Sequence, residues 1–275
     1  MSTKLVKPCC VCSSSTGRVL FNIGGKDIYQ CENCGLANTS GPLNVTYSNY
    51  HWDTDYVKFE KHFKNIFLKR YGIITKFIKK GRMLEIGSST GTFLNIFKDE
   101  GWEVLGIEPS ASGSSAKKRG INVINSFFEK TSLKSAHFDL VVLNHTLEHF
   151  KYPVIALQKV YGILKKGGFV YVDVPNFGSL SSKLLGKYWP YLQVNEHYYH
   201  FSPRSLKKLF EKVGLKVRYV KTRSGIFDYE KPLAGLFEEM ITRPKSFLQD
   251  LITIPGAYVM TLLNLGTSLT IIAEK

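Results

Sequence analysis

Met83-Leu84-Glu85-Ile86-Gly87-Ser88-Ser89-Thr90-Gly91 decides how this chain is read. Met83 to Ile86 is short and mostly apolar, as a buried strand is. It breaks into a turn of Gly, Ser and Thr, after which a helix is predicted from about Phe93. Small residues let backbone N–H groups approach a ligand closely, and glycine takes positive φ without steric cost. A strand, such a turn and a helix N-terminus together form a nucleotide-type cradle.

Working outward, the chain alternates between two kinds of segment from Gly81 onward. Strands are predicted at 82–87, 103–108, 121–125, 138–144 and 168–174, and helices at 92–100, 111–119, 153–165 and 203–213. This alternation predicts a parallel sheet covered by helices on both faces, with ligands beyond the carboxyl ends of its strands. Later strands at 215–221 and 268–274 enclose a partly helical insert at about 224–266. Glu108 closes the second strand, 23 residues after Glu85. A carboxylate at that tip can accept hydrogen bonds from both hydroxyls of a ribose, a geometry that dehydrogenases share.

Upstream, residues 56–80 read as a helix, with Phe59, Phe63, Ile66, Phe67, Ile74, Phe77 and Ile78 at spacings of three or four. Lysines and Arg70 are placed on its other, solvated faces. Residues 41–55, with Tyr47, Tyr50, His51 and Trp52, read as a linker packing across the next domain. The expected organisation is a module at 1–40, a linker and helical lead-in at 41–80, and the main domain at 81–275.

All five cysteines fall within the first 34 residues. Cys9-x-x-Cys12 and Cys31-x-x-Cys34 are two knuckles whose four thiolates suit a tetrahedral, structural Zn²⁺. Cys10 is the alternative to Cys9, and two unrelated reduced pairs are the alternative to a metal. Between the knuckles, 18–23 and 27–30 flank Gly24-Gly25 and predict a β-hairpin.

Lys plus Arg is 37 against 22 for Asp plus Glu, a net charge of +15, and 44% of residues are hydrophobic. The chain can therefore build a sizeable core and favours anionic partners: phosphates, nucleic acid or an acidic membrane surface. A merely solvated basic surface is the plainer reading. The first residues lack an apolar run, so no signal peptide is expected and the cytoplasm is the expected compartment. Leu251 to Ala273 carries no charge. Its Pro, Gly and Asn residues and strand-like end favour peripheral membrane contact over a span.

Four stretches resemble the class I S-adenosylmethionine-dependent methyltransferases: Leu84 to Gly91, Gly106 to Ser110, Phe138 to His149 and Gly167 to Asn176. The segment Glu196 to Ser202 adds to the likeness. The Cys-rich start is similar to the zinc ribbon ahead of some such enzymes, including sugar C-methyltransferases. The resemblance implies a Rossmann-like α/β fold, doubly wound around a mostly parallel seven-stranded sheet, with a small N-terminal zinc ribbon. It also implies S-adenosylmethionine as cofactor. Glu85, Gly87, Ser89 and Gly91 would shape the methionine pocket, Glu108 would hold the ribose, Phe127 and Phe128 would border the adenine, and Asn144 and His145 would lie near the sulfonium. Ser89 departs from the family's usual glycine.

A sulfonium methyl is already activated, so the protein must supply alignment and an acceptor freed of its proton. A base with a pKa near the working pH suits histidine. The resemblance favours His197, assisted by Glu196 and Tyr199, with His145 a further candidate. The aromatic and amide side chains of 176–200 suit a sugar ring or a nucleobase. The expected acceptor is small or carrier-linked, foremost a nucleotide-activated sugar or glycan intermediate bearing phosphate. A nucleic-acid methyltransferase and a non-catalytic scaffold of the same fold are the alternatives.

Overall fold

The structure, a computed structural model, describes residues 3–4, 8–43, 58–233, 236, 240–241 and 244–275. The predicted linker residues Tyr47, Tyr50, His51 and Trp52 lie outside them.

The N-terminal strands are β1 (Thr3–Lys4), β2 (Thr16–Ile23), β3 (Lys26–Cys31) and β4 (Ala37–Thr39), followed by helix α1 (Glu60–Ile74). The alternating part runs β5 (Arg82–Ile86), α2 (Thr92–Asp99), β6 (Glu103–Ile107), α3 (Gly113–Lys118), β7 (Asn122–Ile124), β8 (Phe138–Asn144), α4 (Pro153–Ile163) and β9 (Leu164–Pro175). Then come α5 (Leu180–Leu185), β10 (Tyr199–His200), α6 (Pro203–Lys212), β11 (Lys216–Arg223), α7 (Pro244–Leu262) and β12 (Ser268–Glu274).

Seven strands form one sheet in the order β11-β12-β9-β8-β5-β6-β7. The run from β9 to β7 is parallel, and β12 lies antiparallel between β9 and β11. Side chains alternate across a strand, so each buried strand feeds both faces. Leu84, Ile86, Val141 and Leu143 pack with Leu157, Val160 and Phe210 on one side. Met83, Leu140 and Val142 pack with Phe67, Phe93 and Phe97 on the other. Burial on both faces explains the nearly continuous apolar runs of these strands. Each such side chain contributes about 1.5–3 kcal/mol on removal from water.

Two element ends differ from the pattern-based reading. β9 starts at Leu164, inside the predicted helix, because Leu164 already pairs with Phe138 before the ladder shifts register ahead of Phe169. α1 ends at Ile74, short of the predicted Lys80.

β2 and β3 form the expected hairpin around Gly24 and Gly25, both at positive φ. This smaller sheet, ordered β1-β2-β3-β4-β10, takes its last strand from far along the chain. Tyr199 pairs with Asn38 and His200 with Ala37. Arg204 and Lys212 of α6 donate to the Asn33 and Cys10 carbonyls at 2.7 Å. The sheet therefore continues past the boundary expected at residue 40 and grips the main domain.

Among the described residues, no helix is long and apolar enough to cross a membrane. The uncharged stretch 251–273 is shared between α7 and β12.

Candidate functional site

The turn after β5 is held under the tip of β6. Gly87 and Ser88 donate their N–H groups to the Ile107 carbonyl, at 2.8 and 3.2 Å. Gly87 has φ +78°, and a Cβ there would stand 2.5 Å from Thr146 Oγ1, so glycine is required on both counts. Ser89 has φ +44°, a left-handed conformation that costs a serine about 1–2 kcal/mol. Its N–H donates to Glu108 Oε2 at 2.8 Å, and the Ser110 N–H donates to Oε1 at the same distance. Glu108 thus clamps the first strand's turn to the second strand's end.

Glu85 is buried nearby, and its Oε2 accepts no hydrogen bond from the described residues. Burial, reinforced by the Glu108 charge, pushes its carboxyl well above the ordinary range, although Arg70 opposes this.

Beside the cradle lies a buried ionic network that the sequence reading missed. Arg70 is buried, not on a solvated face. It reaches across the strand ends and donates to Asn144 Oδ1 at 2.7 Å, Asp173 Oδ1 at 3.2 Å and Asp228 Oδ2 at 3.3 Å. The signal was present: Phe63, Phe67, Arg70 and Ile74 lie at spacings of three or four, so Arg70 falls on the apolar stripe. Asp173 is completely buried and also accepts from Ser268, Thr270 and Tyr171. Burial would raise its pKa, but Arg70 and His145 hold it below the usual range. Asp228 is raised, by burial and then by Asp173, against the pull of Arg70.

His145 sits at the tip of β8 with φ +50°, its N–H donating to the Asp173 carbonyl at 2.8 Å. Its side chain remains 36% exposed, with Nδ1 3.6 Å from Glu148 and Nε2 3.6 Å from Asp173. Burial alone would lower its pKa. Glu148 and Asp173 outweigh that, and it lies above the ordinary histidine value.

His197 is placed differently. It is buried, donates Nδ1–H to the Tyr191 carbonyl at 3.2 Å, and packs edge-on against His149. Burial and the neighbouring histidines push its pKa well down. His149 donates Nδ1–H to the Glu196 carbonyl at 3.0 Å, so the main chain of Glu196 orients a histidine. Glu148, His149 and His197 gather with ligating atoms within 4.8 Å of one another.

Tyr199 is not brought to this cluster. Its hydroxyl donates to the Lys151 carbonyl at 3.4 Å and its ring packs toward the cysteine module. The expected adenine pair also divides. Phe128 is core, edge-on to Phe150, whereas Phe127 is exposed under Lys130.

The four expected cysteines converge. Cys9 Sγ lies 3.5 Å from Cys34 Sγ, Cys12 Sγ lies 3.5 Å from Cys31 Sγ, and all four sit within 4.8 Å. Cys10 stands apart beside Tyr199, its thiol pushed up to about 11 by burial.

A family model described as a methyltransferase domain matches residues 59–220, more than half of the chain. The chain belongs to that methyltransferase family. It is 31% identical over 112 residues to the uncharacterized protein MJ1123 of Methanocaldococcus jannaschii, covering 40% of this chain and 53% of that one. It is 26% identical over 218 residues to the C-methyltransferase NovU of Streptomyces niveus, covering 75% and 49%. The chain spans about half the length of these curated relatives. Among solved structures, phosphoethanolamine N-methyltransferase 2 of Haemonchus contortus aligns with a TM-score of 0.61 at 18% identity, over 87% of this chain and 62% of that one. An S-adenosylmethionine-dependent methyltransferase of Archaeoglobus fulgidus aligns at 0.57 and 21%, over 82% and 100%. These likenesses establish the methyltransferase fold.

The Arg70 network yields a stability test. Arg70→Met leaves Asp173 and Asp228 buried without their cation, at a cost of about 3–5 kcal/mol. Urea unfolding should show that loss, and Arg70→Lys should recover part of it. A change within ~0.5 kcal/mol would mean the network does not brace the fold.

Proposed function

We propose that this methyltransferase-family chain transfers a methyl group from S-adenosylmethionine to a small or carrier-linked acceptor, foremost a nucleotide-activated sugar or glycan intermediate. The observation that carries the cofactor reading is the Glu108 carboxylate, fixed at the second strand's tip beside a positive-φ turn. Its two oxygens accept from the Ser89 and Ser110 N–H groups, and a carboxylate at this strand tip is the acceptor type that binds ribose hydroxyls. Glu85 fits as well, because its orphaned buried oxygen is the kind of acceptor an ammonium would satisfy. Ser89 adopts the positive φ for which the usual glycine is suited, so the departure preserves the turn's geometry.

When bound, S-adenosylmethionine supplies an activated methyl on a sulfonium. The chain's own residues then bind, align and move a proton. Gly87, Ser89 and Gly91 shape the methionine end, Glu108 holds the ribose, and Phe127 borders the adenine. Asn144, pinned by Arg70, marks the sulfonium end. Of the histidines expected to act as base, His145 fits better than His197: it is partly exposed, and Glu148 and Asp173 stabilise the imidazolium formed when it takes the acceptor's proton. Buried His197 orients the wall of this pocket.

The acceptor class rests on three supports: the similarity to the C-methyltransferase NovU, the net charge of +15, and exposed Tyr188 and Tyr191 beside the site's histidine segment. Its test is a screen of sugar nucleotides and glycan intermediates for the mass gain of one methylene. Transfer to RNA alone would reject it.

Zn²⁺ in the cysteine cluster completes the reading. At Zn–S distances of about 2.3 Å, tetrahedral thiolates stand about 3.8 Å apart, close to the sulfur spacing present. One zinc per chain should be released by a mercurial and counted with a chromogenic chelator. Cys31→Ala with Cys34→Ala should lose it; a metal-free wild type refutes the site.

Calorimetry should show Glu108→Ala weakening S-adenosylmethionine binding on the order of 100-fold, since two charge-assisted hydrogen bonds contribute about 1.5–3 kcal/mol each. Unchanged affinity removes Glu108 from the ribose.

His145→Asn retains a residue that tolerates left-handed backbone, and turnover should fall by about 10²–10⁴. In the wild type the base works only when neutral, and its pKa is raised. The rate should therefore climb with pH on the alkaline side of ordinary histidine. Persistence of that limb in the variant excludes His145.

A further inference from the structure

Two helices, α5 and α7, each expose apolar side chains that the methyl-transfer reading does not use. α7 docks through one face. Ala257 Cβ lies 3.6 Å from where a Cβ on Gly225 would stand, and Thr261 Oγ1 accepts from the Ser224 N–H at 3.2 Å. The opposite face turns outward with Ile252, Val259, Leu262 and Leu263 at helical spacing, between 51% and 79% exposed. α5 presents Leu184, 76% exposed, and Leu185, 47% exposed. The start of α5 is tied to the end of α7, where the Leu180 N–H donates to the Leu265 carbonyl at 3.1 Å.

Exposed apolar surface of this kind marks an interaction site. Its charge pattern selects the occupant. Residues 251–273 carry no charge, and the stretch between Asp173 and Glu196 holds Lys183 and Lys187 with no acidic residue. Apolar side chains on α7, and on α5 with Lys183 and Lys187 beside them, on a chain of net charge +15, match an anionic bilayer surface, with acyl chains below and phosphates above. No described helix is suited to crossing a bilayer, so the chain would lie on it.

We propose that the α5–α7 face binds the surface of an anionic membrane. α7 packs on the segment that carries Asp228, a member of the Arg70 network. Docking through this face would set the catalytic crevice next to the headgroups, within reach of an acceptor carried there. The inference needs neither cofactor nor turnover, so it stands or falls apart from the methyl-transfer reading.

Flotation of the full chain with vesicles decides it. The wild type should float with phosphatidylglycerol–phosphatidylcholine vesicles, float poorly with phosphatidylcholine alone, and be released by high salt. Leu184→Glu with Val259→Glu and Leu262→Glu should lower binding at least ~10-fold while the melting temperature holds, since all three side chains are exposed. Lys183→Ser and Lys187→Ser should each weaken it roughly 5-fold, the equivalent of about 1 kcal/mol per lysine. A wild type that stays unbound to anionic vesicles overturns the proposal. So does a triple variant that binds as the wild type does. If light scattering shows a dimer that the triple variant dissolves, with no flotation of either form, the face belongs to a second copy instead.

Discussion

The crevice at the carboxyl ends of β8 and β9 depends on burying one guanidinium among carboxylates. Arg70 enters on α1, before the first strand of the large sheet, and ends against β8, β9 and the segment ahead of α7. Removing these charges from water is costly, and only the mutual attraction and the added hydrogen bonds offset it. The pocket can therefore form only when elements distant in sequence have assembled around it. Asp173 is the most heavily supplied member, with donors from Arg70, Tyr171, Ser268 and Thr270. That supply keeps it ionised in a setting that would otherwise neutralise it, and the ionised Asp173, after Glu148, raises the His145 pKa.

A comparison of magnitudes explains why the cradle survives its serine. The left-handed conformation of Ser89 costs about 1–2 kcal/mol. A hydrogen bond from its N–H to a charged carboxylate contributes about 1.5–3 kcal/mol, and Glu108 receives a second from Ser110. The clamp outweighs the strain, so the turn can hold its shape without glycine.

Much of this architecture was legible in the sequence. The central strands declare themselves because they are buried on both faces, and Glu108, Gly87 and the four cysteines occupy positions that motif spacing alone identifies. The misses share one cause, dependence on tertiary context. β10 is two residues long and exists only because Ala37 and Asn38 lie opposite it. Arg70 sits in a helix crowded with lysines, and only its phase relative to Phe63, Phe67 and Ile74 separates it from them. Phe127 and Phe128 are adjacent and identical in composition, yet one faces solvent and the other the core. The burial of His197 was not legible either: burial and the neighbouring histidines push its pKa well down, and a sequence carries no measure of those surroundings.

The cysteine module then acquires a positional role. Thr39 of β4 donates its hydroxyl to the His197 carbonyl at 2.7 Å, so its oxygen meets His200 Nε2, 2.9 Å away, as an acceptor. Its N–H donates to the Tyr198 carbonyl. One threonine thus fixes both histidines of the segment, and the knuckles fix the strand that carries it through Cys31 and the turn to Leu36. His197 in turn packs on His149, the neighbour of Glu148, whose carboxylate faces His145. A series of backbone and side-chain contacts therefore runs from the cysteine module to the histidine proposed as base. Loosening the module would disturb the base's electrostatic setting without touching the cofactor cradle, which is held separately by Glu108.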